Sequence, residues 1–157
     1  MICVSIVETG LEACKKAIAG LELAELRLDK TNLSESDLQS LLKAKGKTKI
    51  IATCRPTTQT TSGTSANSLS DEARKALLLH AINCGVDLVD IEVESTDSFK
   101  QDVVQAAKAK GCRVIVSYHN YEKTPRREEL KQTIEWCFES GATIAKIACM
   151  ATSVKDS

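Results

Sequence analysis

No run in this chain is apolar for long enough to cross a bilayer, and its opening, MICVSIVETG, carries Glu8 and no basic flank. Neither a membrane span nor a secretory leader is expected. Charge of one sign is also missing: 21 Lys and Arg balance 21 Asp and Glu. No basic field therefore addresses nucleic acid or anionic lipid, so no nucleic-acid or membrane partner is expected. The seven cysteines, at 3, 14, 54, 84, 112, 137 and 149, are odd in number and lack a repeated C-x-x-C spacing. That argues against a zinc site and a disulfide framework. Most lie in apolar segments, where cysteine behaves as a small hydrophobe, and a reduced, cytoplasmic setting follows. No low-complexity linker divides the 157 residues, which suffice for one core and are too few for two ordinary domains. A single domain over 1–157 is expected.

What is present is an alternation. Short β-rich runs occupy residues 2–7, 23–28, 49–54, 88–93, 113–118 and 143–149, with helical spacing between them. LEACKKAIAG is the shortest helical segment. Leu38, Leu41 and Leu42 form a stripe after Ser34 as N-cap, and Gly46 is the stop. Ala73, Ala76, Leu77 and Ile82 follow Ser70 and close at Gly85; Val103, Val104 and Ala107 lead to Gly111. Thr124 as N-cap, with Pro125 at the first helical position, opens a helix that Gly141 ends. Such alternation predicts βαβ units and a parallel sheet with right-handed crossovers. The one notable loop, residues 56–69, is polar and follows the third strand.

An open doubly wound sheet and a (β/α)₈ barrel both suit this order, and polarity within the strands favours the barrel. AELRLD alternates Glu25, Arg27 and Asp29 with Leu26 and Leu28, and DIEVE alternates Asp90, Glu92 and Glu94 with Ile91 and Val93. A sheet covered on both faces would read as near-continuous apolar strands. ATCR ends on Arg55 and SYH on His119. Carboxyl-terminal strand ends are where barrel enzymes keep their chemistry.

ATIAKIACM, residues 142–150, places Lys146 in an otherwise apolar strand. Lys146 could be a snorkelling or ion-paired lysine, His119 a strand cap, Glu25 with Arg27 a local pair, and Asp90 with Glu92 a salt-bridge network. Their clustering at successive strand ends speaks against separate accidents. A lysine among apolar groups has its charged form disfavoured, and its neutral amine attacks ketones. The resulting iminium acidifies the adjacent C–H, and an imidazole can take that proton and return one to a leaving group. Elimination, retro-aldol cleavage and isomerisation all remain open, with arginines implying an anionic or polyhydroxylated substrate.

Five motifs carry a family resemblance: AELRLD (24–29), ATCRP (52–56), VDLVDIEVES (86–95), VIVSYHNYEKTP (114–125) and GATIAKIACM (141–150). In order and spacing the chain resembles type I 3-dehydroquinate dehydratase, the imine-forming enzyme of the shikimate pathway. The resemblance implies a TIM barrel, an imine between Lys146 and the C3 ketone of 3-dehydroquinate, and syn loss of water with His119 as the acid/base. It implies Ser5, Glu25, Arg27 and Arg55 as substrate-binding residues, no metal or nucleotide cofactor, and a homodimer. Two departures stand out. The family's R-x-x-x-E-G-G, whose glutamate partners the histidine, is here RPTTQTTSG, with Gln59 at that place. Either the histidine is less basic, or Glu92 or another inward carboxylate substitutes. Only six β runs occur, so the seventh and eighth strands are absent and the first and sixth would be open edges. Another imine-forming lyase of the aldolase kind, or an inactive barrel fragment serving in assembly or in a multifunctional chain, are the alternatives.

Overall fold

The computed structural model describes residues 2–56 and 69–153. Six strands alternate with helices: β1 (Cys3–Ile6), α1 (Leu11–Ile18), β2 (Leu23–Arg27), α2 (Leu28–Thr31), α3 (Glu35–Ala44), β3 (Lys49–Thr53), α4 (Asp71–Cys84), β4 (Leu88–Glu92), α5 (Asp97–Lys110), β5 (Arg113–Asn120), α6 (Arg127–Glu139) and β6 (Ile144–Cys149). All pairings are parallel and the strand order is sequential, β1 to β6, giving a curled half-barrel. The barrel expectation therefore holds over the doubly wound one. A doubly wound sheet reverses its strand order at a switch point, and this sheet does not. Within the described residues β1 and β6 each have one strand neighbour.

Register assigns the two faces. Ser5 pairs with Glu25 and Glu25 with Ile51; Arg27 pairs with Thr53 and Thr53 with Asp90; Glu92 pairs with Ser117 and Ser117 with Lys146. Paired residues point the same way, so these line the concave face. Ala24, Leu26, Ile50, Ala52, Val89, Ile91, Val114 and Val116 point the other way and join Leu41, Leu78, Ile82, Val103 and Ala107 of the helices in one continuous core. The concave face has its own small apolar floor of Ile51, Leu88 and Ile115, with Leu23 against it.

The predicted N-caps Ser34 and Ser70 are observed: their hydroxyls accept from the Asp37 and Ala73 amides, and Asp37 returns a bond to the Ser34 amide. Two expectations are corrected. Helix α6 begins two residues beyond the expected place, with Arg126 at the N-cap and the Glu129 carboxylate accepting from its N–H at 2.9 Å. Thr124 instead donates its hydroxyl to the Met150 carbonyl at 3.0 Å, which ties the β5–α6 connection to the end of β6. Of the expected α4 stripe, Ile82 is buried and Leu77 packs on the core, but Ala76 is exposed, and Arg74, Leu78 and Ala81 complete the buried face. Arg74 can lie on that face because a buried carboxylate, Glu92, accepts from it at 2.8 Å. Gly141 carries φ +95, and a Cβ there would meet Val104 Cγ1 at 2.9 Å, so the close approach of α5 requires glycine.

Candidate active site

The polar side chains converge on the concave face at the carboxyl-terminal strand ends. Lys146, at the middle of β6, donates to Asp90 Oδ2 at 2.8 Å, and Asp90 Oδ1 accepts from Ser117 Oγ at 2.6 Å. The Lys146 side chain is 37% exposed while that of Asp90 is 1% exposed, so the amine meets the open cavity and its counter-ion lies beneath. The apolar surroundings expected for Lys146 are thus corrected: the ion-paired alternative describes it as it stands here. β5 runs to Asn120, two residues beyond the expected end, and carries His119 within the strand. Arg55, just past β3, donates from Nη1 to His119 Nδ1 at 2.9 Å and sits 3.9–4.0 Å from Glu25, Asp90 and Glu92. A guanidinium cannot accept, so His119 Nδ1 is the acceptor and Nε2 carries the proton of the neutral imidazole.

Electrostatics follow from this crowding. Burial, then the Arg55 and Lys146 cations, hold the His119 imidazole down at about 3, against the pull of Glu25. Burial raises Glu25, but Lys146, hydrogen bonds from Ser5 and Thr53, and Arg55 together bring it below the usual carboxylate range. Thr53 Oγ1 reaches Glu25 Oε1 at 2.9 Å. Burial and the neighbouring Asp90 push Glu92 up to about 7, against Arg74 and Arg55. Arg27 forms a two-point bridge to Asp29 at 2.9 and 2.6 Å, which raises it further. The site therefore combines a half-exposed amine, a neutral imidazole and a guanidinium facing three carboxylates. Such a set can bind an oxygen-rich anion and move a proton beside an amine.

The family model for type I 3-dehydroquinase matches residues 2–157. The chain belongs to this family. The 3-dehydroquinate dehydratase of Methanosarcina barkeri is 35% identical over 156 residues, 96% of this chain and 64% of that protein. That of Methanococcoides burtonii is 31% identical over 160 residues, 99% of this chain and 66% of that protein. The crystal structure of the Clostridium difficile type I enzyme, solved with covalently modified comenic acid, superposes with a TM-score of 0.84 at 27% identity, covering 98% of this chain and 64% of that one. The chain thus spans just under two thirds of the length of these relatives.

Of the residues singled out in the sequence, Lys146, His119, Arg55, Glu25 and Ser5 lie together in this half-barrel, with Ser5 exposed on β1. Arg27 shares their face, but Asp29 occupies its guanidinium. Glu92 is corrected as a histidine partner: Arg74 claims its Oε2 at 2.8 Å, and Arg55, not a carboxylate, meets the imidazole. Gln59 lies outside the described residues, as does most of the polar loop. Sequence reasoning missed Arg74 and the pairing of Asp90 with Lys146. A charged residue at the i−4 position of the buried Leu78 was the available signal for Arg74.

Proposed function

We propose that this chain acts as a dehydratase on 3-dehydroquinate, forming 3-dehydroshikimate through an imine on Lys146. The Lys146 amine, freed from its proton and from Asp90, adds to the C3 ketone; loss of water gives the iminium, which draws electrons from C2. His119 takes the C2 proton, giving an enamine, and a proton passes back to the C1 hydroxyl as it departs. Hydrolysis of the new iminium releases product and restores the amine. The imine supplies the electron sink, so the reading calls for no metal or nucleotide. Glu25, Arg27, Arg55 and Ser5 would bind the hydroxyls and carboxylate. As substrate binding draws Arg55 away and imine formation alters the charge at Lys146, two of the causes that depress His119 relax, which suits a base that must then accept a proton. We further place the chain in the cytoplasm as a homodimer, in which another copy covers the edge residues Val4 and Ile144, both 38% exposed.

The observation that carries the reading is the adjacency, on one concave face, of the Lys146–Asp90 and Arg55–His119 pairs in a chain of this family. Incubation with 3-dehydroquinate followed by borohydride tests it. The expected result is a stable mass increment mapped to Lys146. A protein without an increment removes the covalent reading and leaves an assembly role, while labelling only by a phosphorylated ketose assigns an aldolase-like lyase.

A further inference from the structure

Arg74 is a buried guanidinium that the reaction above does not use. It is 3% exposed on a helix whose other buried residues are apolar. Its donors are met one by one: Nε gives to the Cys54 carbonyl at 3.0 Å, Nη2 to Glu92 Oε2 at 2.8 Å and Nη1 to Asp71 Oδ1 at 2.6 Å. Its plane also lies over the Phe99 ring, 5.3 Å from the centroid. Two of these acceptors bracket Arg55. The Cys54 carbonyl belongs to the peptide that leads into Arg55, and the second Glu92 oxygen faces Arg55 Nη1 at 3.9 Å. From the other side Asp29 Oδ1 accepts from the Arg55 amide at 3.4 Å. Arg55 thus leaves β3 with its root and its head both constrained, and arrives at His119 Nδ1.

We infer that Arg74 is a positioning residue: by holding the Cys54 carbonyl and the Glu92 carboxylate in one fork, it fixes the direction of Arg55 and keeps that guanidinium on His119. An arginine suits the task because its planar fork meets separate acceptors at set angles, which an ammonium cannot do. The groups acting on the imidazole are Arg55 beyond β3, Lys146 on β6, Arg27 and Glu25 on β2, and the Tyr121 ring stacked at 6.1 Å. Asp90 and Glu92 of β4 face Arg55 rather than the imidazole. Without the fork, Arg55 swings toward one of these carboxylates, and His119 loses both its Nδ1 donor and its nearest cation.

Nitrogen-15 NMR of the imidazole from pH 4 to 8 tests this on the free full chain, with folding checked by circular dichroism. The catalytic meaning rests on the dehydratase reading, but the titration needs no substrate, so the two fail separately. The variants are E92Q and R74M/E92Q; the double variant removes both members of the buried pair and strands no charge. In the wild type and in E92Q, where Arg74 still holds Cys54, His119 should remain neutral with the proton on Nε2. In R74M/E92Q its pKa should rise by about one to three units and the single tautomer should be lost. A folded double variant with the wild-type titration overturns the proposal, as does the full shift appearing in E92Q alone. If the double variant does not fold, R74K decides by the same readout: it should show the shift, and an unchanged titration overturns the proposal.

Discussion

The two faces of one sheet are built from the same strands and do different work. On the convex side every second residue is apolar and joins a core that runs unbroken into all six described helices. On the concave side the apolar floor is a cluster of three buried residues, and beside and beyond it come Glu25, Thr53, Asp90, Ser117, Lys146, Arg55 and His119. The difference teaches that folding free energy resides almost wholly outside the curl, since buried apolar area drives it. The inner face, relieved of that task, can hold ionised groups at distances that packing alone would not favour.

Substitutions on the two faces should therefore separate chemistry from stability. The largest effect is expected from Lys146→Ala, which should abolish the borohydride-stable adduct while thermal unfolding shows the fold intact; an adduct that persists places the imine elsewhere. His119→Ala should retain imine formation at least in part and lose turnover by about 10²–10⁴-fold. Unaffected turnover in a steady-state assay refutes the shuttle. Leu41→Ala or Leu78→Ala on the helices, both 0% exposed, should cost about 2–5 kcal/mol in denaturant unfolding. Ile144→Ala, at 38% exposure on the concave edge of the single chain, should fall within about 0.5 kcal/mol when unfolding is followed at concentrations where the chain is monomeric.

The same contrast has a pH signature. The folded chain holds His119 near 3 instead of its ordinary 6.5, so the unfolded chain takes up that proton first. This group's stability is complete above pH 6.5 and is lost as pH falls toward 3. Glu92, pushed from 4.5 to about 7, acts in the opposite sense, with stability lost as pH rises through that interval. His119→Asn should remove only the first contribution and flatten the acid loss by at most about 1.4 kcal/mol per pH unit. An unchanged slope in urea titrations would mean that the imidazole is not depressed by its neighbours.

The strands and the caps at Ser34 and Ser70 were legible because each depends on residues within a few positions. The inward polar set was legible for the same reason: a period of two needs only its own strand. Asp90 as the partner of Lys146 was not, since the two are 56 residues apart and every inward carboxylate competed for the lysine. Arg74 was missed because apolar periodicity ignores charged residues, and its partner Glu92 sits 18 positions on. Thr124 looked like a cap because a hydroxyl beside a proline usually is one; its bond to Met150 requires knowing where β6 ends.

Among the described residues, Lys146 sits on a strand with a neighbour on one side only. Its amine is therefore rooted in a ladder whose outer half has no partner among the described residues, and the protection of β6 amides against hydrogen exchange should be lower than that of β4, which is buried throughout. The lifetime of the Lys146–Asp90 contact is bounded by how often that ladder opens. Any polypeptide that lies along the free edge of β6 would slow the opening, and would lengthen the residence of the amine at its post without touching a single group in the cavity.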